Sequence, residues 1–184
     1  YSVTSALEEN RDADDCRQVL EFVNSRLNAH EELINDLLLL SKADENLSKT
    51  EKRVIDLSQA AYNAAEVFVC LFEEKQISFV KDLKPGVTIE GDEKLIMILF
   101  SNLLENAMKN TPQGGTVNLT VLKDTVNAKI EVSDSGTGIP EEHLEYIFER
   151  FYRVPGSEND DNGSGLGLAI CKSIVEAHGG KISV

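Results

Sequence analysis

Two asparagines four residues apart, an aspartate closing an alternating stretch, and glycines alternating ahead of an apolar run are the residues of this chain whose types and spacing could do chemistry. They fall in three segments, FSNLLENAMKN, DSGTGIP and GSGLGLAI, in that order. On a helix, Asn102 and Asn106 project from one face, and Lys109, three residues further on, shares it. An amide oxygen suits Mg²⁺, a hard cation that keeps several waters and takes few protein ligands beside phosphate oxygens. Lys109 would neutralise phosphate charge; a merely solvated helix face would carry the same residues. Asp134 ends AKIEVSD, where a carboxylate can accept a hydrogen bond from an exocyclic amine such as that of adenine. Gly136 and Gly138 then let the backbone approach a flat base or take positive φ. A D-S-G turn also forms without any ligand. Gly163, Gly165 and Gly167 run straight into an apolar helix, leaving backbone N–H groups at its N-terminus to hold phosphates. The spacing is not the GxxxxGK[ST] of a P-loop, and no strand precedes it as in a dinucleotide site. Together the three segments predict a site for a metal–nucleotide complex.

Such a site needs elements to carry it, and 184 residues suffice for one large domain or two small ones with a real core. With 18 Lys+Arg against 32 Asp+Glu, the formal net charge is -14. That balance argues against nucleic acid, which needs a basic footprint, and against an anionic membrane surface. It also repels a nucleotide, so local groups must supply the attraction: a divalent ion, helix N-termini and a few placed cations. Cys16, Cys70 and Cys171 lack metal-ligand or disulfide spacing, which predicts buried free thiols in a reducing, cytoplasmic compartment. No apolar run reaches the ~18 residues of a membrane span, and there is no signal peptide. Beginning at Tyr1 without Met and stopping in the strand-like KISV, the chain reads as a piece of a longer protein.

Cys16, Leu20, Val23, Leu27, His30, Ile34 and Leu37 follow a 4-3-4-3-4-3 spacing, a heptad seam. Val19, Phe22, Leu33 and Leu38 widen it toward the stripe of a helical bundle. YSVTSALEEN is helix-compatible, and NRDAD reads as the turn and N-terminal cap between two helices. One hairpin cannot bury these faces, so dimerisation into a four-helix bundle is expected. Polar ADENLSKTEKR marks the boundary, giving a hairpin over 1–45, a linker over 46–52 and a second domain over 53–184. In that domain RVIDL and ISFVKDL read as strands, PGVTIEG as a turn with a short strand, and VNLTV with AKIEV as a hairpin. LSQAAYNAAEVFVCLFEEK, GDEKLIMILFSNLLENAMKN, EEHLEYIFERF and LGLAICKSIVEAHGG read as helices, and KISV as the start of a strand. The expected class is α+β, a helical hairpin followed by a two-layer α/β sandwich.

The three segments in this order, with IFERFYR between the second and third, resemble the catalytic domain of sensor histidine kinases. Asn102 to Lys109 is similar to the N box, DSGTGIP to the G1 box, IFERFYR to the F box and GSGLGLAI to the G2 box. A wider superfamily with DNA gyrase B and MutL shares the nucleotide fold, of the Bergerat (GHKL) type. The F box, the heptad hairpin and INDLLLLSKAD are particular to the kinases, and the resemblance covers essentially the whole chain. It implies that Asn106 ligates Mg²⁺, that Asn102 faces the phosphates, that Lys109 contacts phosphate oxygens and that Asp134 binds the adenine amine. It places Arg153 near the γ-phosphate with Tyr152 beside the nucleotide, so that Asn106, Lys109 and Arg153 carry catalysis. Gly136, Gly138, Ile139, Gly163, Ser164, Gly165, Leu166, Gly167 and Leu168 would line the ATP site. Asn110 stands where many members have an aromatic residue, and Phe148 and Phe151 look like anchors of the loop PGSENDDNGSG or ordinary core. That loop reads as a mobile lid or a plain surface loop.

The family's phosphoacceptor lies in an H-E-x-x-T-P motif of the first hairpin helix. YSVTSALEEN resembles the stretch just after its Pro, which puts the acceptor roughly one or two helical turns upstream of Tyr1. His30 begins HEEL but occupies the heptad seam and lacks Thr-Pro, so a buried or interface residue is the expectation. His143 looks exposed, and His178 fits a helix C-terminus. The resemblance thus implies a homodimeric kinase that binds Mg–ATP and passes the γ-phosphoryl group to a histidine, then to an aspartate of a response-regulator receiver domain. A membrane anchor in the full-length protein is compatible with this; this piece alone would bind nucleotide and dimerise without autophosphorylating. The rivals are a GHKL ATPase or clamp, which would lack the hairpin and FERFYR, and a non-catalytic dimerisation and signalling module with a degenerate nucleotide site.

Overall fold

Alternation and capping in the sequence become helices and strands in the computed structural model, which describes residues 13–46, 53–125, 127–155 and 164–184. The chain divides into two compact units, Tyr1–Leu39 and Leu40–Val184. Helix α1 (Ala13–Asn46) carries the heptad seam. Leu20, Leu27, His30, Ile34 and Leu37 are exposed along it and Val23 is half-buried. The expected first hairpin helix, YSVTSALEEN, lies outside the described residues, as does linker segment 47–52.

In the second unit the order is β1 (Arg53–Asp56), α2 (Leu57–Glu74), β2 (Ser78–Leu83), β3 (Thr88–Gly91), α3 (Glu93–Asn110), β4 (Thr116–Asp124), β5 (Asn127–Asp134) and, after irregular chain, α4 (Gly167–Ala177). It is a mixed α+β fold. Asp56 starts α2 because its carboxylate accepts from the Gln59 N–H at 3.0 Å. Ala60, Ala61, Ala64, Ala65, Phe68 and Phe72 then make its buried stripe at helical spacing. β1 and β3 form an antiparallel pair with Ile55 opposite Ile89. β2, β4 and β5 form a second sheet in the order β2-β4-β5, the first pair parallel and the second antiparallel. In β4, Val117, Leu119 and Val121 are buried while the intervening residues are less so, as the period of two requires. Phe68 and Phe72 of α2, Leu104 and Ala107 of α3, Ile77 and Val117 form one core cluster, flanked by Phe79, Met108 and Val132. Helices α2 and α3 thereby cover one face of the three-stranded sheet.

Three expectations fail here. EEHLEYIFERF is a single 3₁₀ turn (Glu141–His143) followed by successive turns. Its N–H groups bond mostly three residues back, as from Leu144 to Glu141 and from Glu149 to Tyr146, and Phe151 ends the run at φ 64°. Only Ile147 of this stretch is buried, so no apolar stripe holds a regular helix. KISV belongs to neither sheet. Of the three thiols only Cys171 is buried; Cys16 and Cys70 are exposed. Of the two readings of Phe151, ordinary core falls, the residue being 58% exposed.

Candidate functional site

α3 is the wall on which the site is built. Asp92 caps it, accepting from Lys94 N–H at 2.9 Å and Leu95 N–H at 3.4 Å. His178 locks that corner from the end of α4, accepting the Asp92 N–H on Nε2 at 3.1 Å with Nδ1 2.7 Å from the Ile174 carbonyl. Ile96, Leu99, Phe100, Leu104 and Ala107 are buried, which fixes the rotation of the helix and so how Asn102 and Asn106 are presented. The half-buried Asn102 donates Nδ2 to the Ile98 carbonyl at 3.0 Å, and its Oδ1 faces the start of α4. A Cβ at Gly167 would stand 2.8 Å from that oxygen. Asn106 is exposed, and its Oδ1 accepts from Asn110 Nδ2 at 3.2 Å. Lys109 is exposed, its Nζ 3.5 Å from Glu105 Oε2, an arrangement that contributes little to stability.

The end of α3 meets the Asp134 turn. Pro112 forces Thr111 into extended backbone, and the buried Thr111 hydroxyl donates to the Ala107 carbonyl at 2.6 Å. Asp134, exposed at the end of β5, folds the turn by accepting the Gly136 N–H on Oδ1 at 2.8 Å. Gly136 lies so close to the Asn110 carbonyl that any Cβ there would collide with it, and with Asp134 Oδ1 at 2.6 Å. Gly138 takes φ 70° with open space around it, and Ile139 is half-buried. The structure thus brings the first two segments together through Asn110 and Gly136.

The third segment joins through α4. Leu166 is fully buried, its N–H bonded to Ser164 Oγ at 3.2 Å, and it precedes a helix whose start has no side-chain cap. The first-turn amides of Gly167 and Leu168 are therefore not taken by a capping side chain. Gly165 adopts φ 70° and accepts the Phe151 N–H at 2.9 Å, which clamps this turn to the FERFYR segment. Tyr152 and the half-buried Arg153 follow directly. The Tyr152 hydroxyl lies 2.6 Å from His143 Nδ1, with the Tyr146 ring 5.6 Å away. Gly163 lies outside the described residues. His143, read from sequence as an exposed bystander, thus holds Tyr152; eight irregular residues separate the two, and no periodicity signals the pair. Asn110 was visible only as a missing aromatic, although its i+4 spacing from Asn106 carries the signal.

Among the described residues no group of three His, Cys, Asp or Glu side chains could hold a metal ion. The exposed, neutral Asn106 Oδ1 fits Mg²⁺ arriving with phosphates and water, the coordination this ion favours. Uncapped amides at α4, an amide oxygen beside them and a carboxylate on the next turn suit a molecule with an anionic end and an amine-bearing ring. Among the described residues no helix is long and apolar enough to cross a membrane.

Residues 91–184 match the family model described as "Histidine kinase-, DNA gyrase B-, and HSP90-like ATPase". The chain is 38% identical over 151 residues to the signal transduction histidine-protein kinase BaeS of Escherichia coli strain K12, covering 82% of this chain and 32% of BaeS. It is 36% identical over 180 residues to the sensor protein IrlS of Burkholderia pseudomallei strain K96243, covering 97% of this chain and 38% of IrlS. Among solved structures it is similar to a nucleotide-free form of the catalytic domain of histidine kinase ThkA, with TM-score 0.64, 29% identity, and 73% of this chain and 88% of that one covered. Full-length ShkA in complex with AMPPNP gives TM-score 0.78 at 25% identity, with 95% of this chain and 36% of that one covered. The chain spans about a third of the length of the curated relatives it matches. With the family model covering more than half of its residues, the chain belongs to the histidine kinase-, DNA gyrase B- and HSP90-like ATPase family.

Proposed function

We propose that this chain is the ATP-binding part of a protein-histidine kinase of a two-component system, a Bergerat-type two-layer sandwich working with a dimeric helical hairpin. The observation that carries the reading is the meeting of the three segments on α3, with Asn102 Oδ1 against Gly167 and the Asn110 carbonyl against Gly136. Asp134 would accept from the adenine amine, and the uncapped amides of α4 would hold phosphate oxygens beside Asn102. Asn106 would hold Mg²⁺, which neutralises charge between the β- and γ-phosphates when bound. Lys109 and Arg153 would add cations close to an otherwise acidic protein, and Tyr152 would flank the nucleotide. Phosphoryl transfer asks mainly for positioning and charge neutralisation, and these residues supply both. In the whole protein the acceptor is a histidine on the hairpin, and an aspartate on a response-regulator receiver domain takes the group next. The exposed seam of α1 supports homodimerisation, because Leu20, Leu27 and Ile34 are 68%, 61% and 56% exposed. The domain division of 1–45, 46–52 and 53–184 belongs to this same reading.

Titration of the chain with a non-hydrolysable ATP analogue, with and without Mg²⁺, tests the nucleotide site. Saturable binding strengthened by Mg²⁺ is expected, with the Mg²⁺ enhancement lost in Asn106→Ala. No binding, or an unchanged enhancement in the variant, would sink the reading.

A further inference from the structure

We propose that Asn110 is a positioning residue for the metal–nucleotide site: it fixes the amide of Asn106 with its oxygen toward the cation and sets that oxygen's spacing from Asp134. The inference rests on the nucleotide reading above and deepens it. Asn110 Nδ2 forks to two oxygens of Asn106, the backbone carbonyl at 2.8 Å and Oδ1 at 3.2 Å. Asn106 is otherwise an exposed amide on a helix surface. The terminal torsion of an asparagine is broad and roughly two-fold, so an untethered amide offers a cation its nitrogen as readily as its oxygen. A donor on Oδ1 removes that ambiguity. It uses one of the two lone-pair directions of the carbonyl oxygen and leaves the other for a metal, with Nδ2 turned away.

The backbone of Asn110 does a second job. Its carbonyl is packed against Gly136 so closely that no side chain fits there, and Gly136 N–H closes the Asp134 turn at 2.8 Å. One residue therefore holds the cation-facing oxygen with its side chain and the carboxylate turn with its main chain. An aromatic residue at this position could offer a nucleotide a ring but could not make the forked donation. In this chain the position is given to ordering the free site in advance of binding, which reduces what the ligand must immobilise.

The test uses the whole 184-residue chain and the β,γ-imido analogue of ATP, titrated at a series of MgCl₂ concentrations and in EDTA, with wild type, Asn110→Ala, Asn110→Gln and Asn106→Ala compared. Loss of an outer-shell partner typically weakens a metal site about 10-fold or more. The Mg²⁺ concentration for half-maximal enhancement is expected to rise by roughly that factor in Asn110→Ala, a larger change than any in metal-free affinity. Asn110→Gln keeps the donor on a longer arm and should recover part of the loss. If Asn106→Ala abolishes the Mg²⁺ effect while Asn110→Ala leaves it untouched, the role of Asn110 is overturned and the nucleotide reading stands. Equal weakening of metal-free and metal-assisted binding would make Asn110 merely structural and overturn it too. A Mg²⁺ effect indifferent to Asn106→Ala would remove the nucleotide reading itself, and this inference with it.

Discussion

Phe151 and Gly165 face each other with left-handed backbones, φ 64° and 70°, joined by the Phe151 N–H to Gly165 carbonyl bond at 2.9 Å. A Cβ at Gly165 would lie 2.8 Å from the Phe151 backbone, and the positive φ adds its own penalty. Gly165→Ala should therefore lose about 1–3 kcal/mol of stability in urea denaturation. Phe151→Gly should cost less, since it removes an exposed ring and a left-handed non-glycine residue. Equal losses would argue against the clamp. The glycines were legible in sequence as a phosphate-type loop and Phe151 as an anchor of the segment that Gly165 ends, but the left-handed backbone on which the two meet was not. A positive φ on phenylalanine is imposed by its surroundings and leaves no mark in composition.

At the scale of elements, the packing of α3 on α4 sets the distance between the asparagine face and the α4 amides. Cys171 sits in that interface, fully buried, with Sγ 4.0 Å from the Leu99 carbonyl. Burial pushes its thiol from the ordinary 9.0 up to about 12. Between those values the unfolded chain gives up a proton that the folded chain keeps, so stability falls as pH rises. The slope contributed by this one group approaches about 1.4 kcal/mol per pH unit. Urea unfolding of wild type and Cys171→Ala at pH 8 and pH 10 should show the steeper alkaline loss in wild type; parallel losses would contradict it. Alkylation of the native protein should label Cys70 and spare Cys171. The sequence reading expects all three thiols to be buried; packing separates them. The helices α2, α3 and α4 were readable from caps and periodicity. EEHLEYIFERF misled because its apolar residues suggest a helix that finds no surface to bury against.

For the molecule as a whole, the exposed seam of α1 and the nucleotide site of the Leu40–Val184 unit are separable properties. Replacing Leu20 and Leu27 by Glu should shift the chain from dimer to monomer in sedimentation equilibrium, with ATP-analogue affinity retained. A monomeric wild type, or a dimeric double variant, would refute the seam as the dimer contact. The net charge of -14 keeps nucleotide binding dependent on a few local groups rather than on the overall field. By itself the sequence determined which residue types could meet a metal nucleotide, where most of the helices and strands lie, and which family the chain resembles. Those follow from local rules: spacing on a helix face, alternation on a strand, glycines before a helix. Only the tertiary structure decided that Asn102 faces Gly167, that Asn110 ties Asn106 to the Asp134 turn, and that His143 holds Tyr152. The reason is physical. Contacts between residues distant in the chain are set by how buried stripes pack, and hydrogen-bond partners are chosen by the geometry that packing leaves.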